Sequence, residues 1–212
     1  MAEFFLNDFI VNFDVAIYQF VDSIMNPVLD TIFTFITHLG DTPGIVWWVL
    51  AVILFIPKKT RKLGVLLIAG LAIASAVNNL ALKNIIERPR PYNIDPSVWT
   101  NAGYEYVWPA LIDKSSSWSF PSGHTSSSIG AGFALLLGCC KDKKLALGIP
   151  AFILSLLIGF SRIYVHVHYP SDVVAGAVVG LLGGLVAYVI YAKLLVPKVF
   201  PFINKKIKKE II

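Results

Sequence analysis

Residues 173–195 read VVAGAVVGLLGGLVAYVIYAKLL, with a single charge at Lys193. A helix needs about 20 predominantly apolar residues to cross a bilayer. Glycine and valine dominate this stretch, and small residues let neighbouring helices approach closely inside a membrane. Four further segments share the apolar pattern: 43–56, 63–82, 122–140 and 145–160, the first short and carrying Trp47 and Trp48. The whole chain agrees: 56% of its 212 residues are hydrophobic and 15% are charged, and the mean hydropathy is +0.71. An ordinary soluble domain carries about 25% charged residues. The sequence therefore predicts an all-α, polytopic membrane helical bundle with five spans, in one domain of 1–212.

Residues 1–40 read differently. Phe9, Phe13, Ile17 and Phe20 or Val21 recur at helical spacing, with Asp8, Asn12, Asp14 and Asp22 between them. That pattern predicts an amphipathic helix at the membrane interface. Residues 25–39 are more apolar, but Asn26-Pro27 and Asp30 interrupt them. They are expected as a half-inserted helix or a sixth, tilted span. His38 is read as an interfacial residue. The chain thus divides into an N-terminal region 1–40, a core 41–195 and a basic tail 196–212. Glu3 and Asp8 stand where a signal peptide would carry basic residues, so no cleavable leader is expected. Cys139 and Cys140 are adjacent; they suit neither a relaxed disulfide nor a zinc pattern and read as small residues at a helix end.

Loop charge orients the bundle. Lys58, Lys59, Arg61 and Lys62 follow the first span, Lys141, Lys143 and Lys144 the third, and Lys205, Lys206, Lys208 and Lys209 the fifth. If all five segments cross, these loops share one side, which by the positive-inside rule is the cytoplasm. This also accounts for the net charge of +5. No basic stretch is interleaved with aromatics, so nucleic acid is not an expected partner. Expected is an integral protein of the cell (cytoplasmic) membrane with a cytoplasmic C-terminus. Residues 83–91, 92–120, 121–124 and 162–172 then face the outside.

That outer face collects unusual chemistry. Ionisable residues at membrane depth are costly and mark function. His168 and Asp172 are four apart with Pro170 between them. Proline favours the first turn of a helix, so the last span is expected to start near Pro170. Asp172 can then hold one ring nitrogen of His168 and leave the other unprotonated, as a nucleophile or base requires. Arg162 offers a planar fork for phosphate oxygens. Pro121-Ser122-Gly123 can present backbone N–H groups at a helix start, a ready anion site, and His124 beside it suits a general acid. Lys83 and Arg90 add cations, and Pro89 and Pro91 stiffen the backbone around Arg90. Three cations in this set disfavour a metal, so no metal or cofactor is expected and an anionic ligand is.

Other polar residues receive lesser roles. His166 is a rival nucleophile, but position 170 is proline and gives it no carboxylate four residues on. Glu87 and Asp95 are expected to pair with the neighbouring arginines, which could otherwise meet lipid headgroups. Asn78, Asn79, Thr125 and Ser126 to Ser128 are expected to hydrogen-bond between helices.

Lys83 with Arg90-Pro91, Pro121-Ser122-Gly123-His124, and Ser161-Arg162 with His168 and Asp172 together resemble the three-part signature of the type-2 phosphatidic-acid phosphatase superfamily. Order and separation fit, and the resemblance covers residues 40–195. It implies a helical bundle that hydrolyses a phosphomonoester or diphosphate without metal. It further implies that His168 attacks phosphorus and forms a phosphohistidine, that Asp172 orients it, and that His124 protonates the leaving group. Lys83, Arg90, Ser122, Gly123 and Arg162 would hold the phosphate. The expected substrate and partner is a membrane lipid phosphate within the bilayer, undecaprenyl diphosphate slightly favoured. The alternatives are a soluble ester such as a sugar phosphate, or a protein that binds or translocates phospholipid without cleaving it.

Overall fold

The structure, a computed structural model, describes residues 7–193, and all regular structure among them is helical. Helix α1 is Asp8–Ile24, α2 Pro27–Leu39, α3 Asp41–Phe55 and α4 Arg61–Ala76. A wider π-helical turn, Val77–Leu82, joins α4 to the short α5, Lys83–Ile86. Helix α6, Ser97–Asn101, lies in the long loop. Then come α7, Gly123–Lys141, α8, Leu145–Tyr164, and α9, Pro170–Ile190. The basic stretch 205–209 lies outside the described residues.

Local chemistry sets the boundaries. Asn7 Oδ1 accepts from the Phe9 N–H and starts α1. Asn26 Oδ1 accepts from Val28 and Leu29, with Pro27 in the first turn. Asn26-Pro27 is thus the beginning of α2 and not a flaw within it, because both residues suit a helix start.

Among the described residues three helices are long and apolar enough to cross a membrane: Arg61–Asn93, Leu145–Tyr164 and Pro170–Lys193. Pro27–Leu39 and Gly44–Phe55 would make a fourth if the pair, bent by 59°, is one span. The segment expected as the first span is therefore the second half of a bent pair. Helix α7 does not join the set. It opens with Gly123-His124-Thr125-Ser126-Ser127-Ser128 and is largely buried among α4, α8 and α9. A central helix needs little lipid-facing apolar surface, so length and hydropathy alone support three or four spans.

Small residues bring these helices together. A Cβ on Gly130 would stand 2.7 Å from the Gly70 carbonyl, and one on Gly176 would stand 2.7 Å from the Ser122 carbonyl. Only glycine permits α7 to lie so close to α4 and α9. The serines of α7 mostly satisfy themselves: Ser126 and Ser127 donate to the Gly123 and His124 carbonyls, and Thr125 donates to Ser122 Oγ. The expected interhelical bond is made at Ser128, which accepts from Trp47 Nε1 of α3 at 2.9 Å.

The bundle has two unlike ends. At one, Lys144 Nζ donates to the Lys59 carbonyl and ties the two basic loops together. At the other, α1 and the long loop build an aromatic cluster on Tyr18, Trp99, Tyr104, Tyr164 and Tyr169. This second end carries the polar cavity described next.

Candidate active site

A cavity of about 280 Å³ opens where α4 ends, α7 begins, α8 ends and α9 begins. Lys83, Arg90, Gly123, His124, Arg162 and His168 line it, with Gly40, Ser75, Asn79, Ser115, Ser117 and Ser127. Six of the eight residues singled out from the sequence therefore face one space. Asp172 and Ser122 lie behind it.

The backbone explains how the first segment reaches inward. The π-helical turn ends at Leu82, and Asn84 Nδ2 donates to the Asn79 carbonyl at 3.2 Å. Helix α5 then stops at Glu87, whose φ of 51° is left-handed. The chain turns there and sends Arg88 and Arg90 into the protein, where they are 3% and 4% exposed. Ser119 N–H donates to the Arg88 carbonyl and fixes this turn against the long loop.

Arg90 spends every N–H it has. Nε donates to the Ser117 carbonyl at 2.9 Å, and Nη2 to Ser115 Oγ and Ser117 Oγ. Nη1 donates to the Val167 carbonyl at 2.7 Å and faces His168 Nε2 at 3.2 Å. Guanidinium has no lone pair to offer, so the contact requires a lone pair on Nε2. The other ring nitrogen, Nδ1, lies 3.3 Å from Asp172 Oδ2 and 3.4 Å from Ser119 Oγ. His168 thus carries its proton on Nδ1. Burial, with Arg90, Arg162 and Lys83 nearby, holds its pKa well below the ordinary histidine range.

Asp172 is fixed on all sides. Its Oδ2 accepts from Ser119 Oγ and from the Tyr169 N–H, and its Oδ1 accepts from Arg88 Nη1 at 2.6 Å. Arg88 continues to Asp14 of α1 at 3.0 Å and stacks over the Tyr169 ring. Asp14 accepts in addition from Ser171 N–H and Oγ. Glu87 and Asp95 were the expected partners of the arginines. Among the described residues the acidic partners of Arg88 are instead Asp14 and Asp172, while Asp95 accepts from the Ser97 N–H. Both true partners are buried beside the guanidinium, where opposite charges attract most strongly.

His124 has a carboxylate too. Its Nε2 lies 2.8 Å from Asp41 Oδ1, and Asp41 Oδ2 lies 2.6 Å from His38 Nδ1. The bond from His124, with the one from His38, holds the Asp41 carboxyl down at about 2 against the opposing effect of burial. His38, expected as a plain interfacial residue, is part of this chain. Arg162 Nη1 donates to Thr37 Oγ1, and its buried Nε has no hydrogen-bond partner among the described residues.

Some residues stand elsewhere than the sequence suggested. Ser122 donates its N–H to the Asp172 carbonyl and accepts from Thr125, so it braces the cavity wall and does not line it. Gly123 does line it, and a Cβ there would meet Asn79 Oδ1 at 3.3 Å and Lys83 Nζ at 4.0 Å. Asn78 donates to Asn79 and to the Pro121 carbonyl. His166 points away, against the Tyr18 ring and 3.1 Å from Asp22. Thr37 and Asp41 escaped the sequence reading, which also gave Asp14 and Arg88 other roles, an acidic helix face and a partner of Glu87 or a lipid headgroup.

Fold and cavity define the class: an all-helical protein with apolar helices long enough to span a membrane, and a cationic pocket holding two carboxylate-paired imidazoles. The chain belongs to the PAP2 superfamily, whose model matches residues 63–195, and it is a phosphatase. It is 34% identical over 164 residues to undecaprenyl-diphosphatase BcrC of Bacillus subtilis, covering 77% of this chain and 75% of that one. It is 29% identical over 170 residues to undecaprenyl-diphosphatase of Sulfolobus acidocaldarius, covering 80% and 74%. The crystal structure of a transmembrane PAP2-type phosphatidylglycerolphosphate phosphatase from Bacillus subtilis superposes with a TM-score of 0.69 at 27% identity, covering 91% of each chain.

Proposed function

We propose that the protein hydrolyses a phosphate or diphosphate ester of a membrane lipid through a phosphohistidine at His168, with undecaprenyl diphosphate as the favoured substrate. The observation that carries this is the pairing, in one cavity, of a His168 Nε2 lone pair with Lys83, Arg90 and Arg162. Arg162 Nε is a buried donor still lacking an acceptor, which a phosphate oxygen would supply.

The steps follow from the hydrogen bonds. Lys83 and Arg162 take oxygens of the phosphoryl group, and Gly123 permits close approach of the α7 start. Arg90 Nη1 turns from His168 Nε2 to a phosphate oxygen, which releases the lone pair. Nε2 attacks phosphorus as the bond to the leaving oxygen breaks, and Asp172 stabilises the charged ring through Nδ1–H. His124, protonated on both ring nitrogens, gives its Nδ1 proton to the leaving oxygen. It then takes one from water, whose oxygen attacks phosphorus and breaks the N–P bond. Free phosphate leaves and His168 returns neutral. The cations stabilise charge on the transferring oxygens, so the donor set favours an anion over a metal ion.

Membrane-spanning helices and relatives named for polyprenyl and glycerolipid phosphates support a lipid substrate whose tail stays in the bilayer. Five crossings, with α7 as the central one, and a cavity on the face opposite the basic loops complete the reading; the cavity then faces the outside of the cell membrane. The test is phosphate release by purified protein in detergent from undecaprenyl diphosphate, phosphatidylglycerophosphate, phosphatidate and a sugar phosphate. Preferred turnover of the undecaprenyl compound is expected. Equal or better turnover of the sugar phosphate would overturn the lipid assignment. Lipid binding without any release would overturn hydrolysis.

A further inference from the structure

Asp41 stands at the start of α3, just before two residues that lead into the apolar half of the bent helix pair. Its carboxylate joins two histidines from different elements, His124 of α7 and His38 of α2. A bond of this kind on a half-exposed surface adds little to stability. Its geometry matters more. A carboxylate only accepts, so His124 Nε2 must carry hydrogen, and Nδ1 is the one ring nitrogen left for proton transfer. Gly40 closes the same ring edge, since a Cβ there would stand 2.8 Å from His124 Cδ2. The other charges around the ring are cations: Arg162 of α8, with Arg90 and Lys83 across the cavity. Among the described residues Asp41 is the acidic group that faces it.

We infer that Asp41 is the positioning residue of the general acid: it fixes the tautomer and angle of His124 and supports the protonated ring among the surrounding cations. The inference deepens the phosphatase reading above and rests on it. Asp41 makes no contact with the reacting atoms. It acts on the leaving-group side as Asp172 acts on the nucleophile, so each imidazole has its own carboxylate. The two carboxylates come from opposite parts of the chain, and Asp41 lies outside all three signature segments.

The test compares kcat/KM, which reports the steps up to loss of the leaving group, for nitrophenyl, phenyl and alkyl phosphates. A nitrophenolate departs without help, whereas an alkoxide needs the proton. Asp41→Asn keeps the shape and removes the charge. It is expected to lower kcat/KM for the alkyl ester by about 10- to 100-fold and for the nitrophenyl ester by less than about 3-fold. Asp41→Glu, which keeps the carboxylate, is expected to recover much of the alkyl activity. Adding Asp41→Asn to His124→Ala is expected to cost nothing further, because the two act as one unit. A uniform loss across leaving groups, no loss in either variant, or additive losses with His124→Ala would overturn the inference and leave the phosphatase reading standing. A wild type that cleaves none of these esters, nor any lipid phosphate, would overturn both.

Discussion

Arg90 Nη1 and His168 Nε2 lie 3.2 Å apart, a cation donating to the nitrogen assigned to attack phosphorus. The contact fixes the histidine tautomer from the cavity side, while Asp172 fixes it from behind. Ser115, Ser117 and the Val167 carbonyl hold the guanidinium of Arg90 in place, and its contact with His168 is the one an arriving anion takes over. Arg90→Lys keeps the charge and loses the fork. Its kcat is expected to fall about 10²- to 10³-fold, close to the loss of one transition-state donor. His168→Ala should abolish turnover yet still bind lipid phosphate. Retention of near-wild-type kcat by either variant would contradict the roles assigned here.

The lowered pKa of His168 gives a pH dependence with a definite sign. Attack needs the neutral ring, and the ring stays neutral until the pH falls below its own depressed pKa. The acidic limb of kcat/KM should therefore lie below the ordinary histidine value of about 6.5. A profile whose acidic limb falls at or above that value would show that the ring is not buried among cations as described.

Arg88 joins Asp14 and Asp172, both of them buried. Arg88→Met would leave two carboxylates in the interior without their cation. Breaking such a pair costs about 3–5 kcal/mol, so thermal unfolding in detergent should shift sharply downward. Activity should fall as well, since Asp172 loses its anchor. Adding Asp14→Asn should recover part of the stability. An unshifted melting curve for Arg88→Met would mean that the arginine is not the hub of this network.

Gly40 offers a steric probe. Its φ of −88° suits any residue, so alanine there brings no backbone strain. A methyl group would press on His124 Cδ2 and Ile158 Cγ2, both at 2.8 Å. Gly40→Ala is expected to displace the imidazole and lower kcat about 10-fold or more, with a lowered melting temperature from crowding buried Ile158. Unchanged turnover would show that His124 has slack the structure does not give it.

The donor set also predicts how inhibitors behave. Vanadate and inorganic phosphate should compete with substrate, because both present oxygens to Lys83, Arg90 and Arg162. EDTA should leave turnover intact. Loss of activity restored only by a divalent ion would contradict the proposed chemistry.

Much of this arrangement could be read from local spacing. Pro170 marks the start of α9, and a carboxylate at i+4 from His168 follows from one turn of chain. Lys83, Arg90, His124 and Arg162 stand beside helix ends, where hydropathy makes charged residues conspicuous. Asp14, Thr37 and Asp41 sit 74, 125 and 83 residues from Arg88, Arg162 and His124, the side chains they touch. Nothing in the spacing of a sequence announces such pairs. On α1 the acidic residues looked like one wet helix face, yet Asp14 is fully buried and Asp22 accepts from Tyr104. The serines of α7 misled in the opposite way. They suggested interhelical glue, and most of them bond to their own helix because a serine can reach its own preceding carbonyls.

Helix α1 is fastened to the His168 segment by Tyr18, whose hydroxyl donates to the His168 carbonyl at 2.9 Å, and by Asp14 at Ser171. The stretch that matches the family model begins only at residue 63. A chain trimmed to that boundary would keep every signature residue and forfeit the props of both imidazoles and of Arg162. Recognisable motifs and a competent enzyme are thus different lengths of the same polypeptide, and the shorter one should be inert.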